Sequence, residues 1–129
     1  MHKIVLGLLL LSSTLFSVEW VKDVNTAFTL AKKEHKNVMI LVEGENCRWC
    51  KKLKYRTLQD EAVEKRLEKF VVVKVMREDP SAMSGLPEVK GVPTVFFMKP
   101  NKAVTEEILG YVNVEDFISY INDVEKNTK

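Results

Sequence analysis

The stretch from Val38 to Tyr55 constrains this chain more than any other. Five consecutive apolar residues, Val38-Met39-Ile40-Leu41-Val42, lead through polar Glu43-Gly44-Glu45-Asn46 into Cys47, where a segment of helical composition without Pro or Gly begins. An unbroken apolar run of this length is the pattern of a strand covered on both faces. It predicts a central strand that hands over to a helix at Cys47. The only two cysteines of the chain, Cys47 and Cys50, then fall on the first turn of that helix.

The flanking segments follow the same logic. Asp23 and Asn25 are candidate N-caps of a helix that carries Ala27, Phe28, Leu30 and Ala31 and ends in the basic residues Lys32, Lys33, His35 and Lys36, which suit the negative end of a helix dipole. Asp60 caps a second helical stretch, Glu61 to Lys69, with Val63 and Leu67 on one face. Phe70-Val71-Val72-Val73-Lys74-Val75 is the next buried strand, and a helical crossover between two such strands implies that they run parallel. Residues 77–91, with Pro80, Gly85 and Pro87, read as a loop with one short helical turn near Ser81. Thr94 to Met98 is a strand, Pro100-Asn101-Lys102 a turn, and Val104 to Leu109 the hairpin partner. Asn113 caps a last helix whose apolar face holds Phe117, Ile118 and Ile121. With no repeat or linker, the sum is one α/β domain, a central mixed sheet of about four strands flanked by helices on both faces.

Residues 1–17 are of a different kind: basic Met1-His2-Lys3, an apolar Ile4 to Leu11, and small polar residues ending at Ser17. That order predicts a secretory signal peptide over 1–17 ahead of a domain at 18–129. Its apolar core is well short of the roughly 20 residues of a spanning helix. Loss of Lys3 with that segment lowers the net charge from +2 to about +1, and acidic residues interleave with the lysines. Such a mixed-charge surface carries no broad field for nucleic acid.

An exported compartment permits disulfides, and two thiols at this spacing on one helical turn close or open a small ring with little backbone movement. The helix N-terminus favours a thiolate at Cys47, the expected attacking sulfur, with Arg48 beside it in support and Glu43 and Glu45 opposing. Cys50, one turn on, is the expected resolving thiol. A purely structural bridge stands beside this reading, although so short a loop constrains the unfolded chain little. A zinc site would find half its ligands in the two cysteines, with His35 the one histidine left after export. Covalent haem would want histidine where Lys51 stands. Trp49, between the cysteines, reads either as a core aromatic or as a surface contact for a peptide substrate, and the position favours the surface.

The sequence resembles the thioredoxin superfamily, and within it the small exported thioredoxin-like proteins. The residues that carry the resemblance are Cys47-Arg48-Trp49-Cys50-Lys51-Lys52-Leu53, the strand Phe70 to Val75, Gly91-Val92-Pro93-Thr94, and Gly110-Tyr111. It implies a thioredoxin-like fold over most of residues 20–125, with a cis proline at Pro93 packed against the dithiol. Val92 and Pro93 would then form the edge to which an extended substrate adds. The simpler alternative is a proline that merely starts an edge strand. Two departures stand out. The buried acid that the family keeps before its dithiol falls on Leu41, so Glu43, two residues on, is either its substitute or a solvated turn residue. The lysine that accompanies that acid matches Lys74. The dipeptide Arg48-Trp49 also matches neither the Gly-Pro of the common reductants nor the Pro-His of the strong oxidants.

The resemblance thus implies a periplasmic thiol-disulfide oxidoreductase that needs no cofactor beyond the Cys47–Cys50 disulfide. It would reduce exported proteins as a monomer and be recycled by a membrane electron donor. A disulfide oxidase or isomerase, or a binding module with an idle dithiol, are the alternatives.

Overall fold

The computed structural model describes residues 18–128, so the segment 1–17 expected to be a signal peptide lies outside the described residues. The elements are β1 (Trp20–Val21), α1 (Val24–Glu34), β2 (Asn37–Glu43), α2 (Arg48–Lys52), a π-helical turn (Leu53–Leu58), α3 (Glu61–Leu67), β3 (Phe70–Met76), α4 (Pro80–Met83), β4 (Thr94–Met98), β5 (Val104–Leu109) and α5 (Val114–Lys126). One mixed sheet has the order β1-β3-β2-β4-β5. Its β1–β3 and β2–β3 pairs are parallel, and its β2–β4 and β4–β5 pairs are antiparallel.

The fifth strand is the one the sequence does not announce. Trp20 and Val21 are too short a run to carry a pattern, and they become a strand only because Val72 and Val73 offer a free edge. Two further differences are local. Glu43 is not in the turn but is the last residue of β2, opposite Met76 of β3. The helix after the dithiol changes pitch at Leu53, where it closes a wider turn from Gln59 N–H to the Lys54 carbonyl.

Capping follows simple chemistry. Asp23 accepts from Thr26 N–H, and that backbone hydrogen bond holds its carboxyl below the ordinary aspartate value. Asp60 accepts from the N–H groups of Ala62 and Val63, and Asn113 from that of Asp116.

Alternation along the strands divides the core in two. On one face Met39, Leu41, Val72 and Phe97 pack with Leu53, Val63 and Leu67, and with Phe117 and Ile121 of α5. On the other, Val38, Ile40, Val73 and Phe96 pack against Ala27, Phe28 and Ala31 of α1. All five residues Val38 to Val42 are fully buried, as expected of a strand with neighbours on every side. No described helix is long and apolar enough to cross a membrane.

Phe97 stacks edge-on against Phe70, with ring centroids 5.2 Å apart, and lies 6.1 Å from Phe117. Truncation of Phe97 to Ala should therefore cost about 3–5 kcal/mol of stability. The measure is the urea midpoint of the oxidised protein at unchanged slope.

Candidate functional site

Cys47 and Cys50 form a disulfide, with their Cα atoms 5.2 Å apart. Cys47 has extended backbone and serves as the N-cap of α2, and its sulfur accepts the Cys50 N–H at 3.1 Å. Cys47 is half-buried, whereas Cys50 is 1% exposed. The two sulfurs are therefore not equivalent. A molecule from solvent reaches Cys47, and a donor already aimed at that sulfur favours negative charge on it once the bond opens.

The loop that delivers Cys47 is held by β3 and the turn after it. Arg77 N–H donates to the Glu43 carbonyl at 2.7 Å, and Glu45 N–H to Glu78 Oε1 at 3.1 Å. Gly44 lies against Val92, so closely that a Cβ there would sit 2.9 Å from Val92 Cγ2. The β2–β4 register explains the approach: Val42 faces Thr94, and the same pairing carried two residues further sets Gly44 opposite Val92.

Val92–Pro93 is a cis peptide bond. Together with Trp49, Gly110 and Tyr111, these two residues line an open groove of about 390 Å³ beside the dithiol. Trp49 is 48% exposed, and its ring centroid is 5.9 Å from that of Tyr111. Tyr111 is held in place from both sides. Gly110 N–H donates to the Pro93 carbonyl at 2.7 Å, and Thr57 Oγ1, in the π-helical turn, donates to the Val112 carbonyl at 2.7 Å. The structure thus brings Trp49, which lies between Cys47 and Cys50 in the chain, together with Val92 and Pro93. It adds Tyr111, Lys52 and Thr57, whose placement depends on a hairpin and a helix meeting across the sheet end.

The charged residues divide differently. Leu41 is fully buried on the face that carries Met39. Glu43, 8% exposed on the same face, pairs with Lys54 of the π-helical turn. It is therefore a buried ion-paired carboxylate rather than a solvated turn residue. Lys74 is the register partner of Leu41, yet it is exposed, and its ammonium lies 4.8 Å from the centroid of the Trp20 ring. Among the described residues Lys74 makes no ion pair with Glu43. Arg48 is exposed on the first position of α2. His35 sits exposed at the left-handed end of α1, and among the described residues no group of three or more His, Cys, Asp or Glu is placed to hold a metal.

Comparison with known proteins points one way. A family model described as thioredoxin-like matches residues 19–100. Anterior gradient protein 3 of Xenopus tropicalis is 29% identical over 94 residues, which cover 72% of this chain and 57% of that protein. The chain thus spans little more than half the length of the curated relatives it matches. Among solved structures, a thioredoxin from Thermus thermophilus superposes with a TM-score of 0.75 at 24% identity, covering 84% of this chain and 88% of its own. The reduced C-terminal domain of DsbD from Neisseria meningitidis gives 0.63 at 27% identity, covering 76% and 90%.

The Gly44 contact can be tested by stability. Gly44→Ala should destabilise the protein by about 1–3 kcal/mol, because the new methyl must displace Val92. Gly91→Ala is the control: its Cβ would meet only Leu109 Cδ1, at 3.4 Å, and denaturant unfolding should show a change within about 0.5 kcal/mol.

Proposed function

Because this chain belongs to the thioredoxin-like family, we propose that its thiol-disulfide oxidoreductase activity runs in the reducing direction on exported proteins. Cys47 is the attacking sulfur and Cys50 the resolving one. The observation that carries the assignment is the asymmetry of the pair: a reachable sulfur at the N-cap of α2 and a buried one a turn further on.

The chemistry balances without any cofactor. The Cys47 thiolate attacks one sulfur of a substrate disulfide and displaces the other, leaving a mixed disulfide. Cys50 loses its proton and attacks Cys47 Sγ, which closes the Cys47–Cys50 disulfide and releases the second substrate sulfur. Two electrons pass to the substrate, and its sulfurs leave as thiols with the two protons the cysteines gave up. A membrane-bound dithiol donor then returns two electrons and two protons to this protein, which works as a monomer.

Direction turns on how far the surroundings of Cys47 stabilise its thiolate. A strongly oxidising couple is one whose reduced form is much stabilised. Among the described residues the Cys47 sulfur accepts one hydrogen bond, from Cys50 N–H, while Lys54 pairs with Glu43 at the end of β2. Glu43 is assigned a tuning role through that pair, as a fixed negative charge at the end of β2. Arg48 acts as an exposed cation beside the thiolate, and Lys74 has at most a remote influence from its place over Trp20. Val92 and Pro93 provide the edge for an extended substrate and Trp49 an apolar wall. The basic-apolar-polar order of residues 1–17 supports export, to the periplasm.

Equilibration of residues 18–129 with glutathione, followed by thiol trapping, tests the direction. The expected potential lies near the roughly −270 mV of thioredoxin, whereas a value near about −120 mV would reverse the role to disulfide donor. The Cys50→Ser protein should accumulate mixed disulfides through Cys47. Failure to form any with oxidised protein substrates would reduce the dithiol to a structural bridge.

A further inference from the structure

We infer that the groove beside the dithiol selects a cysteine-bearing segment that carries a carboxylate next to an apolar side chain, with Lys52 and Tyr111 as the residues that set this specificity. The inference rests on the reading of Cys47 as the attacking sulfur.

The ammonium of Lys52 lies 4.7 Å from the centroid of the Trp49 ring and 4.6 Å from that of Tyr111. Both rings therefore attract it through their negative faces and hold it at the edge of the groove. A lysine fixed in this way has less side-chain freedom to lose when an anion binds than one that waves in solvent. The platform beneath it is also fixed, because the hydrogen bonds from Gly110 to Pro93 and from Thr57 to Val112 bracket Tyr111.

The charge held there is not neutralised. Among the described residues, the ion pairs engage Lys22, Lys36, Lys54, Arg66 and Arg77, but neither Lys52 nor the exposed Arg48 and Lys51. All three of those cations lie on α2, which has no acidic residue in its first turn. Of the acids closest in sequence, Glu43 is taken by Lys54, while Glu45 is exposed on a loop whose backbone is tied to Glu78. The result is an apolar floor of Val92, Pro93 and Trp49 with one unpaired cation, Lys52, held against its aromatic wall. Its complement is an extended segment whose cysteine is flanked by an apolar residue and by Asp or Glu. A cation held there also raises the encounter rate of acidic partners, an effect that salt removes.

The test uses the reduced Cys50→Ser protein and two peptide disulfides that are identical except for glutamates or lysines flanking a leucine and the cysteine. Mixed-disulfide formation at Cys47 is timed by mass spectrometry. At about 20 mM salt the acidic peptide should react about tenfold faster, and the ratio should shrink to within about twofold at about 0.5 M salt. Lys52→Gln should lower the low-salt ratio to about threefold, and Lys52→Arg should restore it, since guanidinium also stacks on aromatic faces. A merely structural role for Lys52 would slow both peptides equally and leave the ratio alone. Equal rates for the two peptides, or a ratio that Lys52→Gln does not move, overturn the inference. Either outcome leaves the reducing direction standing, because that is judged by the potential. If neither peptide forms a mixed disulfide, both readings fall together.

Discussion

Strand β2 is hydrogen-bonded to β3 on one side and β4 on the other, and its apolar residues are sealed above and below by helices. A shift of one residue would turn its whole side-chain set to the wrong layer. That double confinement decides where the chain leaves the sheet. With Val42 held opposite Thr94, the next residues have no choice but to run past Val92 and Pro93 before α2 begins. The dithiol is therefore placed by the register of a buried strand rather than by anything in the loop itself. The absent side chain of Gly44 is the local condition for that passage.

The same register logic builds the other wall. Thr94 pairs with Leu109, so Gly110 reaches the Pro93 carbonyl and the chain turns there with Gly110 at a φ of 88°, a conformation that glycine adopts without strain. Tyr111 follows at once and meets Trp49 from α2. Three segments separated by some forty and twenty residues along the chain thus share one groove, tied by backbone hydrogen bonds and by Thr57 from the helix side. None of these supports runs through the sulfur bond itself.

Electrostatics supplies what is particular to this chain. A leucine fills the strand position where thioredoxins bury an acid, and the carboxylate appears two residues later at the mouth of the same face, in a pair with Lys54. Burial of Glu43 is tolerable because a fixed cation accompanies it, whereas an unpaired carboxylate at Leu41, deep in the core, would face the full cost of desolvation. Lys54 lies four residues beyond Cys50, so this pair belongs to the helix face that also buries the Cys50 sulfur.

Most of the fold was legible in the chain alone. The apolar runs 38–42 and 70–75, the caps Asp23, Asp60 and Asn113, and the hairpin 94–109 all lie where local patterning places them, because burial on two faces and capping are local demands on residue type. The strand Trp20–Val21 was not legible, since two residues take strand form only when a neighbouring edge receives them. The site divides in the same way. Sequence by itself determined the dithiol and its helix, and the resemblance to thioredoxins implied that Val92 and Pro93 lie near it. Only the tertiary structure decided that Glu43 is a buried partner of Lys54, that Lys74 stands apart over Trp20, and that Lys52 rests on Trp49 and Tyr111. The Glu43–Lys54, Lys74–Trp20 and Lys52–Tyr111 contacts join residues on different elements, so they are set by strand register and helix phase across the sheet, which no local run of residues encodes, whereas Lys52 and Trp49 share α2 three residues apart.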